Sequence, residues 1–168
     1  MPTTSWRSCA MVERIVVNTG PIVALSRAGV TGAVARMPIE FISPMEIRRE
    51  IDKGPPAGRE AVDFTWIRFV LRTTPLSALA VSSLDDGEAA VIQLALDERI
   101  PTVCIDERKG RRAALAVGLR VTGTLGILGK AKMLGLIPAV RPHVEKMVTG
   151  GDWFDPALLA RFYAAVGE

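Results

Sequence analysis

Asn18, Glu50, Asp85, Asp86, Glu88 and Asp106 are side chains of the kind that hold a hard cation, and each stands beside a short apolar run. Asn18 follows residues 15–17 and Asp106 follows residues 102–105. Asp85, Asp86 and Glu88 open an apolar helix, and Glu50 lies about two turns into a helix opened by Pro44. Carboxylates that converge on one edge repel one another unless a cation neutralises them. Magnesium, or manganese in its place, needs only a few protein oxygens, because it keeps waters and takes up substrate phosphate oxygens. The chemistry indicated is phosphodiester hydrolysis, in which bound metal lowers the pKa of an attacking water and stabilises the leaving oxygen. No separate nucleophilic side chain is then required.

For these positions to meet, the strands must end on one edge of a sheet. Residues 15–17 form a β-branched run, and Asn18, Thr19, Gly20 and Pro21 turn the chain into a helix over residues 22–28. A helix over 32–37 leads to a strand over 39–42, and Pro44 opens a helix through Lys53. Gly54, Pro55, Pro56, Ala57 and Gly58 break the chain, followed by a helix to about Phe64 and a strand within 66–71. Residues 88–98 carry the broad apolar face of a buried helix. A strand over 102–105, a helix over 108–117 closed by Gly118, and a strand over 120–122 repeat the unit. Gly123 and Thr124 begin a helix to about Leu134, and further helices are predicted at 140–148 and 156–166. This alternation predicts a three-layer α/β/α sandwich with a mainly parallel central sheet, whose ligands bind beyond the carboxyl ends of the strands.

Composition narrows the function classes. The 168 residues are 49% hydrophobic, enough for a single domain over residues 11–168 with its own core, with residues 1–10 as a disordered leader. The net charge of +3 permits an anionic partner without demanding one. Two cysteines, Cys9 and Cys104, read as free thiols of a reducing compartment. With His143 as the only histidine, a zinc site and a Ser-His or Cys-His couple both lack parts. No apolar stretch suits a membrane span and the first residues lack a signal peptide's apolar centre, so the expected setting is cytoplasmic.

Five segments carry a resemblance: IVVNTGPIVAL at 15–25, ISPMEIRREI at 42–51, LDDGEAAVIQLAL at 84–96, CIDERKGRR at 104–112 and LRVTGTLGILGKAKMLGLI at 119–137. Together they resemble the PIN-domain ribonucleases, in a toxin-type branch with an LDxGEA-like helix start and a GT-helix tail. The resemblance covers residues 15–168. It implies a four-carboxylate site for divalent metal, cleavage of single-stranded RNA, and often an antitoxin protein as partner. The acidic positions fall on Asn18, Glu50, Glu88 with Asp85 as neighbour, and Asp106; Thr19 matches a hydroxyl that bonds a ligand or water. Asn18 departs from the family's Asp. Its carbonyl oxygen still binds metal but gives up a charge, which lowers affinity. That change fits a naturally weakened or inert enzyme, or a deliberate silencing.

Arg108, Lys109, Arg111 and Arg112 gather at the start of a helix, where cations oppose the helix dipole by about 0.3 to 1 kcal/mol each. Beside Asp106 they suit phosphates, as do Arg48 and Arg49 beside Glu50. Each feature has a plainer reading. Asp85 and Asp86 suit helix capping, Asp106 a strand-end turn, Glu50 a solvated face, Asn18 an Asx turn, and the basic cluster solvent. Trp66, Trp153 and Phe154 read as core or dimer surface, and the apolar C-terminal helices leave room for a homodimer. Three functions follow: a magnesium-dependent ribonuclease, a non-catalytic RNA- or protein-binding module of the same fold, and a phosphatase or receiver-like protein. The last lacks its aspartate at Asn18.

Overall fold

The computed structural model of the chain describes residues 12–54, 61–76 and 84–168. The elements run β1 (Glu13–Val17), α1 (Thr19–Arg27), α2 (Thr31–Val34), β2 (Ile39–Pro44), α3 (Met45–Asp52) and β3 (Arg68–Val70). They continue with α4 (Asp86–Asp97), β4 (Thr102–Cys104), α5 (Arg108–Ala116), β5 (Arg120–Thr122), α6 (Thr124–Met133), α7 (Arg141–Thr149) and α8 (Pro156–Val166). Residues 1–10, read as a leader, and most of the Gly54 to Gly58 break lie outside the described residues.

β1, β2 and β4 are almost wholly buried, as parallel strands covered on both faces must be. The sheet order is β3-β2-β1-β4-β5, and each neighbouring pair is parallel, with Val16 opposite Ile42 and Val17 opposite Cys104. The chain therefore builds outward from β1 to β3, then crosses back to lay β4 on the free side of β1. That reversal opens a crevice at the carboxyl ends of β1 and β4. Helix α4 lies across β1, β2 and β4 and touches α3 and α5; α1, α2 and α8 gather on α6, and α7 packs on α1. The result is the expected three-layer α/β/α arrangement. Among the described residues, no helix is long and apolar enough to cross a membrane.

Most expected boundaries lie within a few residues of those observed. The expected helix running to Phe64 is a correction: residues 61–64 form no helix. Asp63 draws this segment away from helical geometry. Its Oδ2 accepts from Thr31 Oγ1 at 2.6 Å, and its Oδ1 accepts from Thr65 N at 3.0 Å and Thr65 Oγ1 at 2.7 Å. Trp66 Nε1 donates to Asp63 O at 3.1 Å and its ring meets Phe41 edge-on, so β3 starts later, at Arg68. Trp66 and Phe154 pack against the core, whereas Trp153 is exposed.

The C-terminal helix has no fully buried residue, yet Leu159, Phe162, Tyr163 and Val166 pack partly against the core. A polar latch completes its docking. Glu168 Oε1 accepts from Lys132 Nζ and from Val140 N, each at 2.7 Å, and Oε2 accepts from Arg141 N at 3.1 Å. The Lys132 hydrogen bond, opposed by burial and helped by the Val140 and Arg141 backbone donors, holds the Glu168 carboxyl down from 4.5 to about 2. A lowered carboxyl stabilises the fold above its unfolded value and stops doing so as the pH falls through its folded value. Acid titration followed by circular dichroism is therefore expected to show a loss of stability between about 4.5 and about 2 that Glu168→Gln lacks. An identical acid profile for the variant would contradict the latch.

Candidate metal centre

The crevice is pinned by hydrogen bonds at the strand ends. Asn18 N donates to Cys104 O at 3.0 Å, carrying the β1–β4 ladder one residue past the strand, and Ser43 Oγ donates to Val17 O at 2.7 Å. Arg111 Nη1 donates to Ile105 O at 2.8 Å and to Thr122 O at 3.1 Å, bracing the carbonyl just past β4 and the last carbonyl of β5. Asn18 itself is buried, and its side chain makes no capping bond to α1, so the turn does not use its amide.

Three carboxylates come together in this crevice: one oxygen from each of Asp85, Glu88 and Glu107 lies within 4.8 Å of the others. Asp85 caps α4, its Oδ1 accepting from Glu88 N at 2.7 Å. Glu88, in the first turn of α4, is 2% exposed, and its Oε1 accepts from Gly110 N at 3.1 Å. Burial, then the charges of Asp85 and Glu107, push its carboxyl above the ordinary carboxylate range. Glu107 is the N-cap residue of α5. Sequence reasoning passed over it in favour of its neighbour. A doublet of acids after a buried strand was the available signal, since successive residues in extended chain project to opposite sides.

The other expected ligands are placed differently. Asp106 turns toward α6, its Oδ1 accepting from Thr124 N at 2.8 Å and its Oδ2 from Thr124 Oγ1 at 2.5 Å, so it caps that helix from the adjoining strand end. Glu50 is exposed and its Oε2 accepts from Thr19 Oγ1 at 2.8 Å, which ties α3 to the first turn of α1. The structure thus gathers Asp85 and Glu88 with Glu107, pairs Glu50 with Thr19, and holds Asp106 on Thr124. Among the basic residues, Arg108, Lys109 and Arg112 are exposed, whereas Arg111 is the brace described above. Arg48 is committed to Asp52 at 2.9 Å and lies 4.2 Å from the Phe64 ring centroid. A groove of about 1110 Å³ between α1, α3 and α7 includes Thr19 and Glu50 in its wall, with Arg27 and Lys146 further along.

Does the donor set suit a divalent metal? Every donor in the cluster is a carboxylate oxygen, the set that magnesium and manganese prefer. When ionised, buried Glu88 adds its charge to those of Asp85 and Glu107. A divalent cation held by Asp85, Glu88 and Glu107 would offset it. Without metal, charged Glu88 costs stability above its unfolded pKa, and the cost vanishes once both states are protonated. In chelator, Glu88→Gln is therefore expected to melt higher than the parent at pH 8, with the gap closing toward pH 4. A parent that melts higher than the variant at pH 8 would refute this electrostatic account.

Residues 14–168 match a family model described as a PIN domain. No curated protein gives a significant match. The family match spans nearly the whole chain and agrees with the five-stranded parallel sheet and its flanking helices. The chain belongs to the PIN-domain family.

Proposed function

We propose that this PIN domain is a magnesium- or manganese-dependent endoribonuclease that cuts single-stranded RNA, of the toxin type that an antitoxin protein restrains. The observation that carries the reading is the Asp85, Glu88 and Glu107 cluster at the carboxyl edge of a parallel sheet in a nuclease-like fold. Bound metal would lower the pKa of an attacking water and stabilise the leaving oxygen. Buried Glu88 anchors the negative set, and Asn18 adds a neutral carbonyl oxygen from the end of β1. In this reading Glu50, whose carboxylate the Thr19 hydroxyl orients, accepts a hydrogen bond from the attacking water. Asp106 supplies its charge from the adjoining strand end while capping α6. Exposed Arg108 and Arg112 are the groups for phosphates; they give affinity without reading bases. A cytoplasmic setting and a homodimer belong to the same reading.

A second reading, a non-catalytic PIN module that binds RNA or protein, is favoured by Asn18 in place of an acid and by the commitment of Asp106 to Thr124. Cleavage assays on a panel of single-stranded RNAs separate the two. The nuclease reading expects metal-dependent cleavage that chelator and Glu88→Ala abolish, and a gain of about tenfold or more in Asn18→Asp, the lower end of what a change in metal surroundings produces. RNA binding with no cut by either the parent or Asn18→Asp would establish the binding module instead.

A further inference from the structure

At three points around the site a carboxylate lies against bare glycine backbone. A Cβ on Gly110 would stand 2.6 Å from Glu88 Oε1 and 3.0 Å from Ile105 Cγ2. On Gly123 it would stand 2.6 Å from Asp106 Oδ1 and 3.2 Å from Arg111 Nη1, and on Gly87 2.9 Å from Glu50 Oε2 and 3.4 Å from Asp85 Oδ1. None of these glycines has a positive φ, so backbone conformation does not require them. Gly87 and Gly110 lie inside helices, where Ala is the better residue. Helix propensity argues for a methyl at both positions; against it stand the carboxylates, closest in each case, and one isoleucine methyl at 3.0 Å, from Ile47 at Gly87 and Ile105 at Gly110.

The three contacts differ in how easily they could yield. Glu50 is exposed and can swing away from a methyl on Gly87. Asp106 is short and held by two bonds to Thr124, so it moves less freely. Glu88 has no free direction: it is 2% exposed, bonded to the Gly110 N–H, and has Ile105 at its side. Gly110 therefore acts on Glu88 twice, by donating to its carboxylate and by leaving the space that the carboxylate occupies. An Ala there would keep the donor and remove the space.

We infer that Gly110 is a positioning residue of the acidic site, setting where the Glu88 carboxylate stands relative to Asp85 and Glu107, with Gly123 doing the same for Asp106. This rests on the cation-site reading above. Manganese titration calorimetry and metal-free melting test it on the parent, Gly110→Ala, Glu88→Asp, the double variant Gly110→Ala/Glu88→Asp, and Gly32→Ala. Gly32 is the control, because a Cβ there meets nothing within 4 Å. Gly110→Ala is expected to weaken manganese binding about 10- to 100-fold, the range for disturbing a partner of a metal ligand. The double variant, with a carboxyl one methylene shorter, regains affinity over Gly110→Ala, and Gly32→Ala binds like the parent. Unchanged affinity in Gly110→Ala, or strictly additive losses in the double variant, would overturn the assignment. Should Gly110→Ala not fold, the double variant with its shorter carboxyl is expected to fold and to bind manganese like Glu88→Asp, and a double variant that also fails to fold overturns the assignment. A parent that binds no manganese overturns the cation-site reading instead. The coupling of positions 110 and 88 in metal-free melting temperature then decides whether the carboxylate is seated by the glycine.

Discussion

Burial of the Glu88 carboxylate is the constraint around which this fold is arranged. A charged group this far from water is expensive unless it is bonded and its charge is offset, and the cost grows with like charges nearby. The protein supplies one backbone N–H from Gly110 and places two further carboxylates, Asp85 and Glu107, beside it. For stability alone this would be a poor arrangement. An apolar residue at position 88 would carry none of this cost. A cation bound there would offset the charge, and three carboxylate oxygens are donors that suit a hard one.

Everything that keeps these carboxylates in place is a strand end or a helix start. β1 brings Asn18 to the crevice, and the ladder to Cys104 puts the end of β4 next to it. Arg111 braces the carbonyl just past β4 and the last carbonyl of β5, which fixes the short segment carrying Asp106 and Glu107. That use of Arg111 also explains a cation near a helix N-terminus, a placement the dipole disfavours. It is a tie between strands, whereas Arg108 and Arg112 remain turned to solvent.

The fold was largely legible because its strands are buried on both faces and so read as unbroken apolar runs, as in 15–17 and 102–105. The helix at Pro156–Val166 announced itself through Asp155 as cap and Pro156 at its first position. What local pattern missed was decided by partners distant in sequence. Asp63 ends any helix before Phe64 by bonding Thr31, and nothing near Asp63 in the sequence signals that. The acidic residues were visible as a set, but their grouping was not: which of Asp106 and Glu107 faces Glu88 depends on where α6 begins in space. Thr124 takes Asp106, and Glu107 is left to face α4.

The pairing of Val17 with Cys104 joins strands separated by more than half the chain. Contacts this distant in sequence form slowly, because a long loop must close before they reward the chain. The acidic centre is also incomplete until Gly110 and Thr124 are present to seat Glu88 and Asp106. During synthesis the amino-terminal half, with Asn18 and Glu50 already made, therefore has no centre at all. The centre is thus a property of both halves of the chain together: Asn18 and Glu50 come from the first, and Glu88, Gly110 and Thr124 from the second.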